Sequence, residues 1–346
     1  MGNPDFKNQI NKTTRDISVI LPVLNEDKYL DMVLRDLVEQ EYSLGEIEVL
    51  IIAGKSNDRT PQIVEIWKTK YPNRLRVFNN SQKNVGTSFN IGIKHARYPW
   101  IAIFGAHSRY PKDYLSVCMK VLKEMRADAC SGRTVLGSIT GSMQEELCMM
   151  VLESPFGTSS SSFRNAKEGF SVTIPRAVYK REILESVGGY DEQLVRNQDN
   201  DINQRLVKEG YKLFYSHAVE SVYYGPTTCA QLLKKAIVSG SWNAVTFNRN
   251  KRAMQWYHFV PAGFTLVSFV ALVAEVLIYV KQGAWIPFSL LVFGPHLLAG
   301  TCFSWKGFDW TFRTLKQNIM MPFLFLAYHL SYGIGTLRGF LMPTIR

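Results

Sequence analysis

The sequence predicts an α/β fold with a mostly parallel sheet, followed by C-terminal transmembrane helices. Three observations carry that expectation. Short β-rich runs alternate with amphipathic stretches through most of the chain, with connections brief enough for repeated strand–helix–strand units. Beyond about residue 255 the charged, mixed composition gives way to long apolar runs; roughly 20 residues suffice to cross a bilayer. The formal net charge is +11 and the pI about 9.3, which suits an anionic partner such as a membrane surface or phosphates.

Taken in order, Ile17–Val23 reads as a buried strand running into a loop at Pro22, and Asn25-Glu26-Asp27 opens a helix through Leu30, Val33, Leu34 and Leu37. Ile47–Ile52 is a second strand. The loop 53–58 follows, then a helix from Thr60-Pro61 with Ile63, Ile66 and Trp67 on its buried face. Leu75–Phe78 and Trp100–Phe104 are further strands, separated by Asn84-Val85-Gly86 and a helix through Phe89, Ile91 and Ile93. Lys112–Met125 reads as a helix, Ala129–Leu136 as a strand, Ser171–Pro175 as a strand and Val178–Ser186 as a helix. Between them, Ser138–Gly169 is rich in Ser, Gly and Met, and its hydroxyl-rich run Thr158–Ser162 reads as a surface loop. In a parallel sheet of this kind the ligand sits beyond the carboxyl ends of the strands, so 22–26, 53–58 and 104–107 should share one rim.

Phe259–Val280 and Ala284–Phe303 have spanning length, and Ile319–Met342 is similar but carries Pro322, His329 and Arg338, which leaves an interfacial helix open for it. Basic residues cluster before the first run (Lys234, Lys235, Arg249, Lys251, Arg252) and between the second and third (Lys306, Arg313, Lys316). Only Lys281 lies between the first and second. That asymmetry puts the N-terminal region in the cytosol. The expected organisation is a cytosolic domain at 1–228, a basic interfacial linker at 229–257 and a membrane region with two or three helices at 258–346, in the cytoplasmic (inner) membrane. Trp256, Tyr257, Trp285, Trp305 and Trp310 flank the runs as interfacial aromatics do. The five cysteines are scattered, without a Cys-x-x-Cys pair, and fit reduced thiols better than a disulfide frame or zinc site. No nucleic-acid motif appears and the basic residues adjoin an apolar run, so no nucleic-acid partner is expected.

A crowded polar cluster is Arg196-Asn197-Gln198-Asp199-Asn200-Asp201, delivered by Gly188-Gly189 at the start of an amphipathic helix. Capping accounts for one acid in a first turn, and less well for this crowding.

Several of these stretches, spaced along nearly the whole chain, resemble family 2 glycosyltransferases. Ile17–Glu26 is similar to that family's opening strand and loop, and Ser56–Thr60 stands where it has Ser-Thr-Asp-Gly-Thr. Asn84-Val85-Gly86, Val187–Glu192 and Arg196–Asp199 also match. His329–Gly333 resembles the tail of the membrane-anchored, succinoglycan-type exopolysaccharide group. The resemblance implies a GT-A-type Rossmann-like fold and an inverting transferase. It further implies a nucleotide-diphospho-sugar donor, a lipid-linked (polyprenyl-diphosphate) glycan acceptor and a divalent cation, Mg or Mn.

A hydroxyl attacking an anomeric carbon needs a carboxylate to take its proton. Asp199 matches the family's base, with Asp201 the runner-up and Arg196, Asn197 and Gln198 on the acceptor side. Pro22, Asn25, Glu26, Lys55, Asn84, Gly86, Gly105 and Arg109 are the expected donor-binding positions, although Asn25 and Glu26 equally suit helix capping, and Asp58 suits capping at Thr60 better than a role in the site. Two departures stand out. Gly105 replaces the carboxylate that the family uses to hold a metal, and Ala53 replaces its acidic residue for the nucleoside. Three readings follow: His107 shares a metal with Asp199 or diphosphate oxygens; Lys55, Arg109 or Arg164 replaces the metal's charge; or the domain has lost catalysis and serves as a membrane-anchored sugar-nucleotide or glycan binding scaffold. No Gln-x-x-Arg-Trp motif accompanies Ser239–Trp242, so addition of one sugar fits better than polymer synthesis.

Overall fold

Strand β1 (Ile17–Val23) is the axis of the sheet. It pairs in parallel with β2 (Ile47–Gly54) on one side and β4 (Trp100–Ile103) on the other, while β3 (Leu75–Asn80) extends the sheet beyond β2. In this computed structural model, which describes residues 15–82, 84–158, 166–305 and 312–342, the order is β3-β2-β1-β4-β8-β6-β9-β5. The later strands are β5 (Ser108–Arg109), β6 (Ala129–Gly137), β7 (Gly169–Phe170), β8 (Val178–Lys180) and β9 (Leu213–Tyr224). β8 runs antiparallel to both β4 and β6, β9 lies parallel to β6, and β7 and β5 pair antiparallel to β9.

Alternation along β1 and β2 feeds two apolar layers, because successive side chains leave opposite faces. Ile17, Val19, Leu21, Val23, Val49 and Ile51 belong to one, with helices α1 (Leu30–Val38), α2 (Thr60–Lys70) and α4 (Tyr114–Glu124). Ile20, Leu50 and Ile52 belong to the other, with α3 (Val85–His95), α6 (Arg181–Ser186) and α7 (Gln198–Lys208). The sheet is therefore covered on both faces, and the strand order reverses at β1/β4. Pro22 is tolerated in this central strand because β4 pairs only as far as Ile20; its missing N–H falls beyond that ladder.

Four local expectations are corrected. Ser171–Pro175 is irregular rather than a strand: Pro175 has no N–H to give a ladder, and Arg176 has φ of 43°. Val178–Lys180 is strand rather than helix, its Val and Tyr packed between β4 and β6, and the helix starts only at Arg181. In α2 the buried residues are Thr60, Val64 and Trp67, a stripe at helical spacing that leaves Ile66 exposed. β9 was not anticipated. The segment 159–164, including Arg164, and Lys306 and Trp310 lie outside the described residues.

The chain divides into two compact units, one holding the sheet (up to Gly137, and Ala166–Tyr224) and one holding Ser138–Asn165 with everything from Gly225 onward. In the second, α5 (Met143–Glu153) is capped by Ser142, whose hydroxyl accepts from the Glu145 N–H. α8 (Cys229–Arg249), α9 (Val260–Gln282), α10 (Phe288–Ser304) and α11 (Phe312–Leu341) follow. Among the described residues, two stretches are long and apolar enough to cross a membrane: Trp256–Gln282 at 27 residues and Thr314–Leu341 at 28. The segment expected to be the second span is the short one. Gly283, at φ of 64°, ends α9, so α10 has 17 residues, and at 1.5 Å rise it reaches about 25 Å of the roughly 30 Å needed. All five cysteines are free thiols.

Small residues let α8 and α11 approach closely. A Cβ on Gly240 would stand 2.1 Å from the Tyr332 carbonyl oxygen, and one on Gly335 2.1 Å from that of Ile237. Asn243 Nδ2 donates to Tyr332 Oη at 2.5 Å. Gly240→Leu should therefore force the two helices apart and cost about 1–3 kcal/mol or more, read as a lower thermal unfolding temperature in detergent. Gly263→Leu, where a Cβ meets nothing within 4 Å, should leave that temperature unchanged.

Candidate active site

The carboxyl ends of β1, β2 and β4 carry three loops to one rim of the sheet. The first two are stitched together by short polar side chains. Asn25, in the left-handed region at φ of 57°, donates its N–H to Ser56 Oγ at 3.0 Å and accepts from the Asn57 N–H at 2.9 Å. The Glu26 N–H donates to Thr60 Oγ1 at 2.7 Å. Asp58 accepts from the N–H groups of Asp27 and Thr60, so it caps α2 and ties the loops at once. Lys55 is exposed at the tip, with no ion pair among the described residues.

The third loop, Phe104–His107, lies beside the first. Glu26 is buried, and its Oε2 stands 2.9 Å from His107 Nδ1 without hydrogen-bond alignment. His107 meets the Tyr29 ring edge-on at 5.2 Å, and Tyr29 stacks on Tyr224 at 5.7 Å. The Gly105 N–H donates to Tyr110 Oη at 2.9 Å. Arg109 is gripped by Asp36 through Nε and Nη2 at 2.6 and 2.8 Å, so its charge is already matched by a carboxylate.

Asp199 is the second residue of α7. The chain reaches it through Gly188 and Gly189, at φ of 78° and 71°, and α3 holds that turn. Asn90 accepts from the Tyr190 N–H and donates to the Tyr190 carbonyl and Glu192. Thr87 Oγ1 donates to Glu192 Oε2 at 3.0 Å. Asn84 caps α3 by accepting from the Gly86 N–H at 2.8 Å and bonds the Glu192 carbonyl through its Nδ2. A Cβ on Gly86 would press the Asp191 carbonyl oxygen at 3.0 Å. Asn84 and Gly86 thus brace the loop that delivers Asp199. Asn90 and Thr87, which the sequence reading did not single out, share that work.

Along α7 the polar residues divide their tasks. Gln198 is buried and donates to the Leu194 carbonyl. Asn200 accepts from Thr173 Oγ1 at 3.0 Å. Asn203, fully buried, accepts from Tyr179 Oη at 3.1 Å and donates to the Ile174 carbonyl at 2.7 Å. Asp201 is buried against Arg205, with Oδ2 2.7 Å from Nη2. Arg196 is exposed, and Asn197 takes φ of 64° at the helix start.

Asp199 is half-buried, and among the described residues no hydrogen bond or ion pair engages its carboxylate. Burial beside the enclosed phenols of Tyr179 and Tyr190 pushes its pKa up to about 6, with the Arg176 guanidinium opposing the shift. A carboxylate that is ionised at neutral pH, unbonded and more basic than usual suits proton abstraction.

Arg176 is the residue at this site that no motif announced. It donates from Nη2 to Thr134 Oγ1 at 2.7 Å and lies over the Tyr223 ring, 5.3 Å from its centroid. Its Nε is buried without a partner. Whether Mg2+ or Mn2+ suits this site can be judged from its donors. Both ions want several oxygen ligands, and among the described residues no three His, Cys, Asp or Glu side chains gather in a metal-binding group. Gly105 offers no ligand, His107 faces Glu26, and a guanidinium stands beside the loop. The described side chains do not by themselves assemble a divalent-cation site.

The raised pKa of Asp199 predicts a pH-dependent effect on stability. The native state holds a proton that the unfolded state has lost between pH 3.8 and about 6, so stability falls as pH rises through that window. Asp199→Asn should unfold at a higher temperature than wild type at about pH 7.5, and the gap should close as pH falls below the ordinary carboxylate value.

Residues 18–188 match the family described as Glycosyl transferase family 2. A dolichyl N-acetyl-alpha-D-glucosaminyl phosphate 3-beta-D-2,3-diacetamido-2,3-dideoxy-beta-D-glucuronosyltransferase of Methanococcus voltae is 29% identical over 271 residues, which cover 76% of this chain and 83% of that one. The succinoglycan biosynthesis protein ExoA of Rhizobium meliloti is 24% identical, over 79% of this chain and 83% of its own. The solved mannosyltransferase of Pyrobaculum calidifontis, in complex with GDP-Man and Mn2+, shares the fold with a TM-score of 0.57 at 17% identity, covering 91% of this chain and 86% of that chain. A mixed, mostly parallel sheet with its rim at the β1/β4 reversal is the GT-A-type arrangement; residues 18–188 match glycosyl transferase family 2, and the chain resembles that family's succinoglycan-type members.

Proposed function

We propose that this protein is an inverting glycosyltransferase that moves one sugar from a nucleotide-diphospho-sugar to a lipid-linked glycan, a polyprenyl diphosphate carrying the growing saccharide. The observation that carries the reading is Asp199, a carboxylate of raised basicity and without a bonding partner among the described residues, at the start of a braced helix. In the reaction the acceptor hydroxyl oxygen bonds to the anomeric carbon as Asp199 takes the hydroxyl proton. The bond from that carbon to the donor's phosphate oxygen breaks, and its electron pair leaves with the nucleoside diphosphate. One displacement from the face opposite the leaving group inverts the anomeric centre.

The donor side of this proposal comprises Pro22, Asn25, Glu26, Lys55 and the 104–107 loop. Arg196, Asn197 and Gln198 lie toward the acceptor. The relatives' names support the substrate class: one acts on a dolichyl-linked sugar phosphate and another serves succinoglycan synthesis. The two apolar stretches and the basic residues flanking them support a multi-pass protein of the cytoplasmic membrane with its catalytic domain in the cytosol. Lys and Arg near an anionic surface contribute about 1 kcal/mol each to its attraction.

A second reading, a sugar-nucleotide or glycan binding scaffold without catalysis, is favoured by Ala53 and Gly105 where the family has acids. Sugar transfer in membranes, screened across nucleotide-sugar donors, separates the two. Asp199→Asn should lower turnover by about 10²-fold or more while the affinity for the nucleoside diphosphate stays within about twofold. Unchanged turnover in the variant removes Asp199 from the role of base, and no transfer by wild type from any donor favours the scaffold.

A further inference from the structure

We propose that Arg176 is the cation that receives the donor's diphosphate, standing where a divalent metal would otherwise be needed, so that nucleoside diphosphates bind without added metal. The assignment rests on the transferase reading above and sharpens its donor side.

Register puts Arg176 at the rim. Ala102 of β4 faces Val178 of β8 across an antiparallel pair, and the Ile103 N–H donates to the Ala177 carbonyl at 3.0 Å. One residue further back along β8's approach, Arg176 comes over the loop that leaves β4. A Cβ built on Gly105 would lie 3.6 Å from Arg176 Cδ, so any side chain at position 105 would extend along the arginine stem. Gly105 and Arg176 are therefore in contact distance of each other, and the arginine brings positive charge beside the loop.

The guanidinium is held yet uncommitted. Thr134 Oγ1 takes one Nη2 proton and the Tyr223 ring supports it from one side. Arg109, by contrast, spends its fork on Asp36, and among the described residues no carboxylate pairs with Arg176. Its backbone lies at φ of 43°, a conformation costly for a residue with a Cβ. Such strain persists where the surrounding structure demands that placement. A planar fork of donors suits phosphate oxygens better than a point charge does, and a second cation close beside the guanidinium would be repelled. As the glycosidic bond breaks, negative charge grows on the departing diphosphate, and a fixed guanidinium beside it lowers that barrier. The same charge acts on Asp199, restraining the rise in its pKa. Base and diphosphate would therefore be read by one arginine.

The test is calorimetry on the full-length protein in detergent, titrating UDP and GDP in EDTA and again in Mn2+. Wild type should bind one of them with affinities that agree within about threefold between the two conditions. Arg176→Met, which keeps the apolar stem, should weaken that binding in EDTA by about tenfold or more, and Arg176→Lys, which restores the charge without the fork, should recover part of the loss. Binding seen only with Mn2+ overturns the assignment and leaves the transferase reading standing. Equal losses in the Met and Lys variants also overturn it, by showing that packing rather than charge matters. Binding of neither nucleotide by wild type under any condition overturns the donor reading and this assignment together.

Discussion

Asn203 is fully buried in the helix that carries Asp199, and its amide is shared between two other parts of the sheet unit. The oxygen accepts from Tyr179 Oη in β8, and the nitrogen donates to the Ile174 carbonyl just ahead of Arg176. Inside a protein such bonds are individually modest, but a buried partner left unmade costs roughly 1–3 kcal/mol. One side chain therefore fixes the start of α7 against the segment 173–176. The same clamp sets Asp199 relative to Arg176, on which both the proposed base and the proposed diphosphate contact depend. Asn200 repeats the tie from the next turn through Thr173.

The environment created by that clamp explains why Asp199 is poised rather than simply charged. A helix N-terminus favours a carboxylate, and Arg176 does so as well. Burial against Tyr179 and Tyr190 outweighs them, and the group titrates at about 6. Asp201, two residues on, shows the alternative fate of an acid in the same turn. It is bonded to Arg205 at 2.7 Å, and its lone pairs are committed to structure. On the other side of the rim, Asn25, Ser56, Asp58 and Thr60 hold two loops in place with short hydrogen bonds. The site thus combines a stitched loop rim with a braced helix start.

The parallel half of the fold was legible because periodicity reports burial. Ile17–Val23 and Ile47–Ile52 could only be buried strands, and the helices between them carry apolar stripes at helical spacing. The cluster around Asp199 was legible as crowding of polar residues after a Gly-Gly turn. What could not be read was everything set by antiparallel register. Arg176 sits between Pro175 and a three-residue strand, in no motif, and only the pairing of β8 with β4 brings it to Gly105. Asn203 looks like any polar residue on a helix until Tyr179 is seen above it. The strand at Leu213–Tyr224 was missed, although its aromatic and β-branched residues were a usable signal. In the second unit, length misled: Ala284–Phe303 is apolar throughout, but Gly283 and Pro287 shorten the helix it forms.

Asp199, held by this clamp in a partly dehydrated place, is the proposed general base. The pH dependence of kcat/KM for sugar transfer by the full-length protein tests it most directly, because that quantity reports ionisation in the free enzyme. If Asp199 is the base, the profile has a limb that falls with a slope of one proton below about pH 6, where burial sets the Asp199 pKa. A profile that stays flat down to the ordinary carboxylate range, near pH 4, would contradict it.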